Sequence, residues 1–201
     1  MRPVYTTIEM ADESSCLFKA VATAIVMKKT RSRASKREVS ALSRELRHKV
    51  VDRMERRAAR SKAYRDTLAH QVAGRGRGGI DAYLKRMRTR CTPAAAAAAA
   101  AGGAAAMETR ALHKVIRADY KRHFPGGLAV HVVRKSGRNV NYTDILLSLT
   151  DEKDVDTNLD TQVHIMMTSP NGPHFDLLWR HPNNTNTNTN TNTNTNVSVL
   201  Y

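Results

Sequence analysis

The sequence predicts an α+β domain of α/β-like character, in which helices cover a small central β-sheet. Two observations predict it: helical patterns dominate the first two thirds of the 201 residues, and strand patterns dominate the last third. One domain suits this length. We assign residues 1–182 to it, with a low-complexity, alanine-rich insertion at 93–106. An Asn-Thr repeat at 183–196, which cannot bury apolar area and should be disordered, and a tail at 197–201 follow.

The apolar run that begins at Cys16 predicts the first helix. Residues 4–9, before it, form a short extended segment. From Cys16 to Lys29 the chain is apolar almost throughout, and fourteen residues are too many for an ordinary strand. Ser14 or Ser15 can cap the N-terminus of this helix, and the two lysines at its end suit the negative end of the helix dipole.

Periodic apolar residues predict the remaining helices. Ser35 and Glu38 have the spacing of a capping box, and an amphipathic helix with an Arg/Lys-rich outer face follows. Its apolar positions recur at helical spacing: Val39, Leu42, Leu46, Val50 and Met54. Further helical segments are expected over Ala63–Val72, Ile80–Met87 and Thr109–Tyr120.

Turn residues and β-rich runs predict the sheet. Turns at 125–127 and 170–173 are rich in Pro and Gly. Three strands are expected, over Leu128–Val133, Val163–Met167 and Phe175–Trp179.

The formal net charge of +15 favours acidic partners. The basic face of residues 31–65 could contact the phosphate backbone of nucleic acid weakly, set a substrate preference, or be a solvated helical face. No run approaches the roughly 18 apolar residues that a membrane span needs, and the first residues lack the apolar core of a secretory signal. We therefore expect a monomer without membrane contact, located inside the cell in cytoplasm or nucleus.

The cysteine and histidine counts argue against structural cross-links and metal sites. Cys16 and Cys91 are the two cysteines, too few for a disulfide framework or a multi-cysteine zinc site. The eight histidines show no metal-ligand spacing such as H-E-x-x-H. We expect no cofactor and no metal, and we assign Cys91 no role.

Two segments carry residues suited to nucleophilic catalysis. Cys16 begins the first helix, where the helix dipole favours a thiolate and unpaired amides can stabilise an oxyanion. His174 and Asp176 stand two apart at the start of a predicted strand, so they face the same side and Asp176 can orient the imidazole. Each segment alone also fits a plainer interpretation: Cys16 as a small core residue, and His174 as a solvated turn histidine beside a surface carboxylate.

Together these segments resemble the ovarian-tumour (OTU) family of cysteine proteases. Residues 12–21, DESSCLFKAV, resemble the nucleophile segment of the family, and residues 172–178, GPHFDLL, resemble its terminal histidine segment. Residues 83–88, YLKRMR, resemble the helix before the family's Trp-Gly-Gly motif. Gly102 and Gly103, followed by Glu108, Ala111 and Leu112, resemble what comes after that motif.

The resemblance implies an OTU-like fold and a deubiquitinase. Cys16 would be the nucleophile, His174 the general base and then acid, and Asp176 the residue that orients His174. The loop of Asp12, Glu13, Ser14 and Ser15 would support the oxyanion. The substrate would be ubiquitin or ubiquitinated proteins, cleaved at the isopeptide bond after the ubiquitin C-terminal glycine.

The sequence also departs from the family pattern. Glu13 stands three residues before the cysteine, where the family usually has Asp, and the alanine run replaces the tryptophan of the Trp-Gly-Gly motif. Two alternatives therefore stay open: an inactive relative that binds ubiquitin, and a basic nucleic-acid-binding protein in which the Cys/His pairing is fortuitous.

Overall fold

The computed structural model describes residues 6–10, 15–73, 78–89, 104–136, 139–146, 161–168 and 174–179. Five helices lie in these ranges: α1 (Cys16–Thr30), α2 (Lys36–Arg60), α3 (Lys62–Val72), α4 (Gly79–Thr89) and α5 (Ala104–Asp119). Five strands accompany them: β1 (Thr6–Ile8), β2 (Gly127–Ser136), β3 (Asn139–Leu146), β4 (Gln162–Thr168) and β5 (His174–Trp179). The mixture of helices and strands confirms the predicted α+β class.

The strands form one mixed sheet in the order β1-β5-β4-β2-β3. β1 pairs antiparallel with β5, and β5 pairs antiparallel with β4. β4 runs parallel to β2, which is joined antiparallel to β3. The sheet therefore brings β1, from the start of the chain, beside β5, from its last third.

Helices α1 and α5 cover the sheet, and the other helices pack outside them. α1 contacts β5 and β4, while α5 contacts β2. α2 packs on α1 and α5, and α3 and α4 pack on α2. Because α1 lies between the sheet and α2, it is apolar on nearly every side, and Val21 and Ile25 are fully buried. Burying a side chain such as Ile25 stabilises the fold by about 1.5–3 kcal/mol.

The α2 helix follows the predicted apolar spacing, with one polar exception. Its capping box of Ser35 and Glu38 is present, and Leu46, Val50 and Met54 are fully buried. Arg47 is also buried, at 8% exposure, and its guanidinium lies 5.6 Å from the centre of the Phe18 ring. Arg47 therefore lies apart from the Arg/Lys-rich outer face of this helix.

The structure corrects several predicted boundaries. β2 is longer than predicted and continues to Ser136. The chain then returns as β3, an unpredicted strand that pairs antiparallel with β2. Helix α5 begins at Ala104, so residues 104–106 of the proposed alanine-rich insertion are helical. The remainder of that insertion, the turn at 170–173, Cys91, and the segments 183–196 and 197–201 lie outside the described residues.

None of the helices in the described ranges has the length and apolar character needed to cross a bilayer.

Candidate active site

The first turn of α1 presents Cys16 at the positive end of a helix. Ser15 is the N-cap residue, and its carbonyl accepts the first helical hydrogen bond from the Lys19 amide at 2.9 Å. Cys16 is the first helical residue and is 5% exposed. This position exposes the thiol sulfur to the helix dipole, which favours negative charge.

The expected side-chain cap from Ser15 is not formed. The backbone of Ser15 has φ −108° and ψ 8°, outside the extended region from which an N-cap side chain reaches the amides of the first turn. Of the two serines predicted as caps, Ser15 occupies the N-cap position without a side-chain bond, and Ser14, like Asp12 and Glu13, lies outside the described residues. The first turn of α1 also contains no acidic residue.

The start of β5 supplies an imidazole and a carboxylate in contact. The strand begins at His174, and His174 Nε2 lies 2.8 Å from Asp176 Oδ1. Phe175, between them, is 4% exposed and belongs to the main apolar core. The alternation of a strand therefore anchors the segment through Phe175 and turns both polar side chains to the opposite side. The predicted contact between His174 and Asp176 is confirmed.

Asp176 is fixed by a second hydrogen bond that the sequence did not suggest. The backbone amide of Met10 donates to Asp176 Oδ1 at 2.8 Å, and Asp176 is 6% exposed. Met10 follows β1, which pairs antiparallel with β5. No side-chain pattern could have indicated this donor, because it is a main-chain group placed by the register of the two strands.

The electrostatics of His174 depend on both Asp176 and Cys16. The hydrogen bond with Asp176 and a side-chain hydrogen bond with Cys16 raise the pKa of His174 to about 10, and burial acts in the opposite direction. Proximity of the carboxylate and of a thiolate raises this pKa further. The thiol of α1 and the imidazole of β5 therefore lie close enough to influence each other's charge.

The hydrogen-bond directions follow from the chemistry of a carboxylate. An ionised carboxylate only accepts hydrogen bonds, so Nε2 of His174 carries the hydrogen that Asp176 receives. Nδ1, which is buried, is then the ring nitrogen left to take a proton from the Cys16 thiol. This order of thiol, imidazole and carboxylate is the arrangement that activates a nucleophile through a base held by a third group.

Two of the weaker matching segments also meet in the structure. The hydroxyl of Tyr83 on α4 donates a hydrogen bond to the carboxylate of Glu108 on α5. Tyr83 is 3% exposed, so its hydroxyl needs such a partner. Gly102 and Gly103, which precede Glu108 in the resemblance, lie outside the described residues.

No group of three or more His, Cys, Asp or Glu side chains suited to a metal ion occurs in the part of the chain that the structure describes. Comparison with protein-family models, with curated proteins and with solved structures found no significant match to this chain. Cys16, His174 and Asp176, and the sequence segments that contain them, are therefore the features that indicate a function.

Proposed function

We propose that this protein is an OTU-like cysteine protease that hydrolyses the isopeptide bond after the C-terminal glycine of ubiquitin. The observation that carries the proposal is the convergence of Cys16, His174 and Asp176 from opposite ends of the chain. That geometry supports a thiol nucleophile with a base and an orienting carboxylate. The ubiquitin substrate and the OTU-like fold are inferred from the resemblance of residues 12–21 and 172–178.

In the acylation step, the sulfur of Cys16 attacks the carbonyl carbon of the ubiquitin C-terminal glycine. The proton shared by Cys16 and His174 is already held on Nδ1 of the imidazole, whose pKa is raised to about 10, and the carbonyl oxygen becomes an oxyanion near the first turn of α1. His174 then gives the proton to the lysine nitrogen as the carbon–nitrogen bond breaks. The free lysine amine leaves, and a thioester joins Cys16 to ubiquitin.

In the deacylation step, a water molecule attacks the thioester while His174 takes one of its protons. The carbon–sulfur bond breaks, the proton taken from water stays on His174 beside the Cys16 sulfur, and ubiquitin leaves with a carboxyl group that loses its remaining proton to solvent. The Asp176 carboxylate holds the imidazole through Nε2 in both steps. No cofactor takes part in this scheme.

The test is labelling with a ubiquitin that carries a thiol-reactive group at its C-terminus. We expect wild type to form a covalent adduct, Cys16→Ala to form none, and His174→Ala to react much more slowly. Cys91→Ala is the matched control, because it removes the other thiol and should leave labelling unchanged. Circular dichroism and thermal unfolding check that each variant is folded.

The outcomes separate the proposal from its alternatives. Absence of an adduct with wild type, under conditions in which a known active OTU enzyme reacts, contradicts the protease. Retained binding of unmodified ubiquitin would then favour an inactive ubiquitin-binding relative. An adduct that persists in Cys16→Ala and disappears in Cys91→Ala would show that Cys91, and not Cys16, is the reacting thiol.

A further inference from the structure

The junction of α2 and α3 carries a concentrated group of positive side chains. Ser61 ends α2 and also caps α3, its hydroxyl accepting from the Tyr64 amide at 3.2 Å. Six exposed cationic residues surround this junction, and we call them the arginine corner: Arg53, Arg56, Arg57, Arg60, Lys62 and Arg65. Because Arg53, Arg56, Arg57 and Arg60 recur at spacings of three and four, they lie along one side of α2.

The carboxylates nearest to this corner are either engaged elsewhere or lie at its margin. Glu55 is bound by Arg88 of α4 at 2.7 Å, and Asp52 is bound by the same guanidinium at 2.6 Å. Asp66, next to Arg65, is exposed at the edge of the corner. Within the described parts of the chain, no carboxylate forms an ion pair with any member of the arginine corner. The corner therefore presents its positive charge to solvent.

An aromatic ring holds part of the corner in place. The guanidinium of Arg57 lies 4.6 Å from the centre of the Tyr64 ring, a cation–π contact between α2 and α3. Burial raises the pKa of Tyr64, and the positive charges of Arg57 and Arg53 act in the opposite direction. Arg53 and Arg57 therefore both lie close to Tyr64, so the charges of the two helices form one surface.

We propose that the arginine corner binds the phosphate backbone of nucleic acids. Arginine forms paired hydrogen bonds with phosphate oxygens, and backbone binding needs closely spaced positive charge more than it needs shape. The corner offers little to other anionic partners. Apart from Tyr64, whose ring is half-buried against the core, Ala58, Ala59 and Ala63 are the apolar residues between its charges at the surface, so it lacks the exposed apolar anchors of a protein interface or of a membrane-inserting helix. This proposal does not depend on the protease activity.

The test measures binding of a fluorescein-labelled 20-base-pair DNA duplex, and of the RNA duplex of the same sequence, by fluorescence anisotropy. The corner variant changes Arg53, Arg56, Arg57 and Arg60 to Ala, which favours helix and removes four charges. The matched control changes four exposed basic residues outside the corner to Ala: Lys28, Arg33, Lys36 and Arg37. Both variants have the same net charge, and thermal unfolding confirms that both are folded.

We expect wild type to bind DNA and RNA with affinity that falls steeply as salt rises. Four phosphate contacts predict a loss of roughly a hundredfold between 50 and 200 mM salt. The corner variant should lower the slope of log affinity against log salt by about three to four units, and the control variant by much less. Equal losses in the two variants would show that total charge matters rather than this surface, and would overturn the proposal. Binding of wild type to phosphatidylserine vesicles or to polyglutamate as tight as to nucleic acid would also overturn it.

Discussion

Helices α1 and α2 both begin after a serine, but their N-termini are completed in different ways. At α2, the Ser35 hydroxyl accepts a hydrogen bond from the Glu38 amide, and the Glu38 carboxylate accepts one from the Ser35 amide. At α1, the side chain of Ser15 makes no cap hydrogen bond, and no acidic residue lies in the first turn. Instead, α1 starts with Cys16, whose partner His174 comes from strand β5.

This difference separates a helix end that serves stability from one that is suited to chemistry. In a capping box, two residues three positions apart accept hydrogen bonds from backbone amides at the start of the helix, and this stabilises the folded helix. A helix N-terminus with no carboxylate in its first turn keeps a positive potential that can stabilise a thiolate or an oxyanion. Substitutions at the N-terminus of α1 should therefore change catalysis, and those at the N-terminus of α2 should change stability.

Asp176→Asn tests whether the chemistry at α1 depends on the remote carboxylate. The substitution removes the negative charge and introduces an amide that can donate to Nε2, which disturbs the tautomer of His174. In the proposed protease we expect turnover of a ubiquitin substrate to fall on the order of 10³-fold. The pKa of His174 should fall from about 10 towards its usual value, because Asp176 is the main cause of the increase. Nuclear magnetic resonance titration of the His174 ring measures this change.

Asp66→Asn is the matched control, since Asp66 is an exposed carboxylate on α3. It should leave both turnover and the His174 titration unchanged. A His174 titration that is the same in Asp176→Asn as in wild type would contradict the assigned role of Asp176.

Ser15→Asp tests the comparison directly by placing an acidic side chain at the N-cap position, where the described first turn of α1 has none. A carboxylate at position 15 can accept from the first amides of the helix and puts negative charge where the oxyanion would develop. We expect turnover to fall about a hundredfold, while the free energy of unfolding stays the same or increases by about 0.5 kcal/mol. Steady-state kinetics and urea unfolding measure the two effects separately.

Ser35→Asp makes the same change at α2, where it should alter neither turnover nor stability by much, because aspartate is also a good N-cap. Unchanged turnover in Ser15→Asp would mean that the missing Ser15 cap has no functional role at α1.

The sequence indicated the local features of both helix ends and missed those that depend on distant segments. The capping box of Ser35 and Glu38, and the i, i+2 contact of His174 and Asp176, follow from spacing alone because their partners are neighbours in the chain. The bond from the Met10 amide to Asp176 joins residues 166 positions apart and requires the register of β1 against β5. Such a register is a property of the assembled sheet.

Two side chains, those of Ser15 and Arg47, have environments that residue type does not indicate, because tertiary packing overrides local preference. Ser15 has the side chain of a good cap, but its backbone adopts a conformation from which that side chain makes no cap bond. Arg47 has the charge of a surface residue, but α1 packs against α2 and Arg47 lies over Phe18. A long side chain can bury its stem and stack its guanidinium on a ring, and residue type alone does not reveal that choice.

The pH dependence of stability should differ between the two helix ends. The pKa of His174 is about 10 in the folded protein, above its usual value of 6.5, so protonated His174 stabilises the fold. This contribution is fully present below pH 6.5 and is lost as the pH rises through about 10. The difference in unfolding free energy between wild type and His174→Gln should therefore shrink across this range, measured by urea unfolding at several pH values.

The capping box provides the reference for that measurement. The Ser35 hydroxyl gains and loses no proton in this pH window. The stability difference between wild type and Ser35→Ala should therefore stay constant from pH 6.5 to 10. A constant difference for His174→Gln as well would mean that the imidazole does not hold an additional proton in the folded state.

The smallest expected effects come from removing the hydroxyl group of each of the two serines, Ser35 and Ser15. Ser35→Ala removes the hydroxyl that accepts from the Glu38 amide, so we expect a loss of about 1 kcal/mol in the free energy of unfolding. Ser15→Ala removes no cap hydrogen bond, so its loss should be no more than a few tenths of a kcal/mol from capping. Urea unfolding of the two variants at pH 7 measures both changes. Equal losses would mean that Ser15 caps α1 in solution, and the N-terminus beside Cys16 would then be closed in the same way as that of α2.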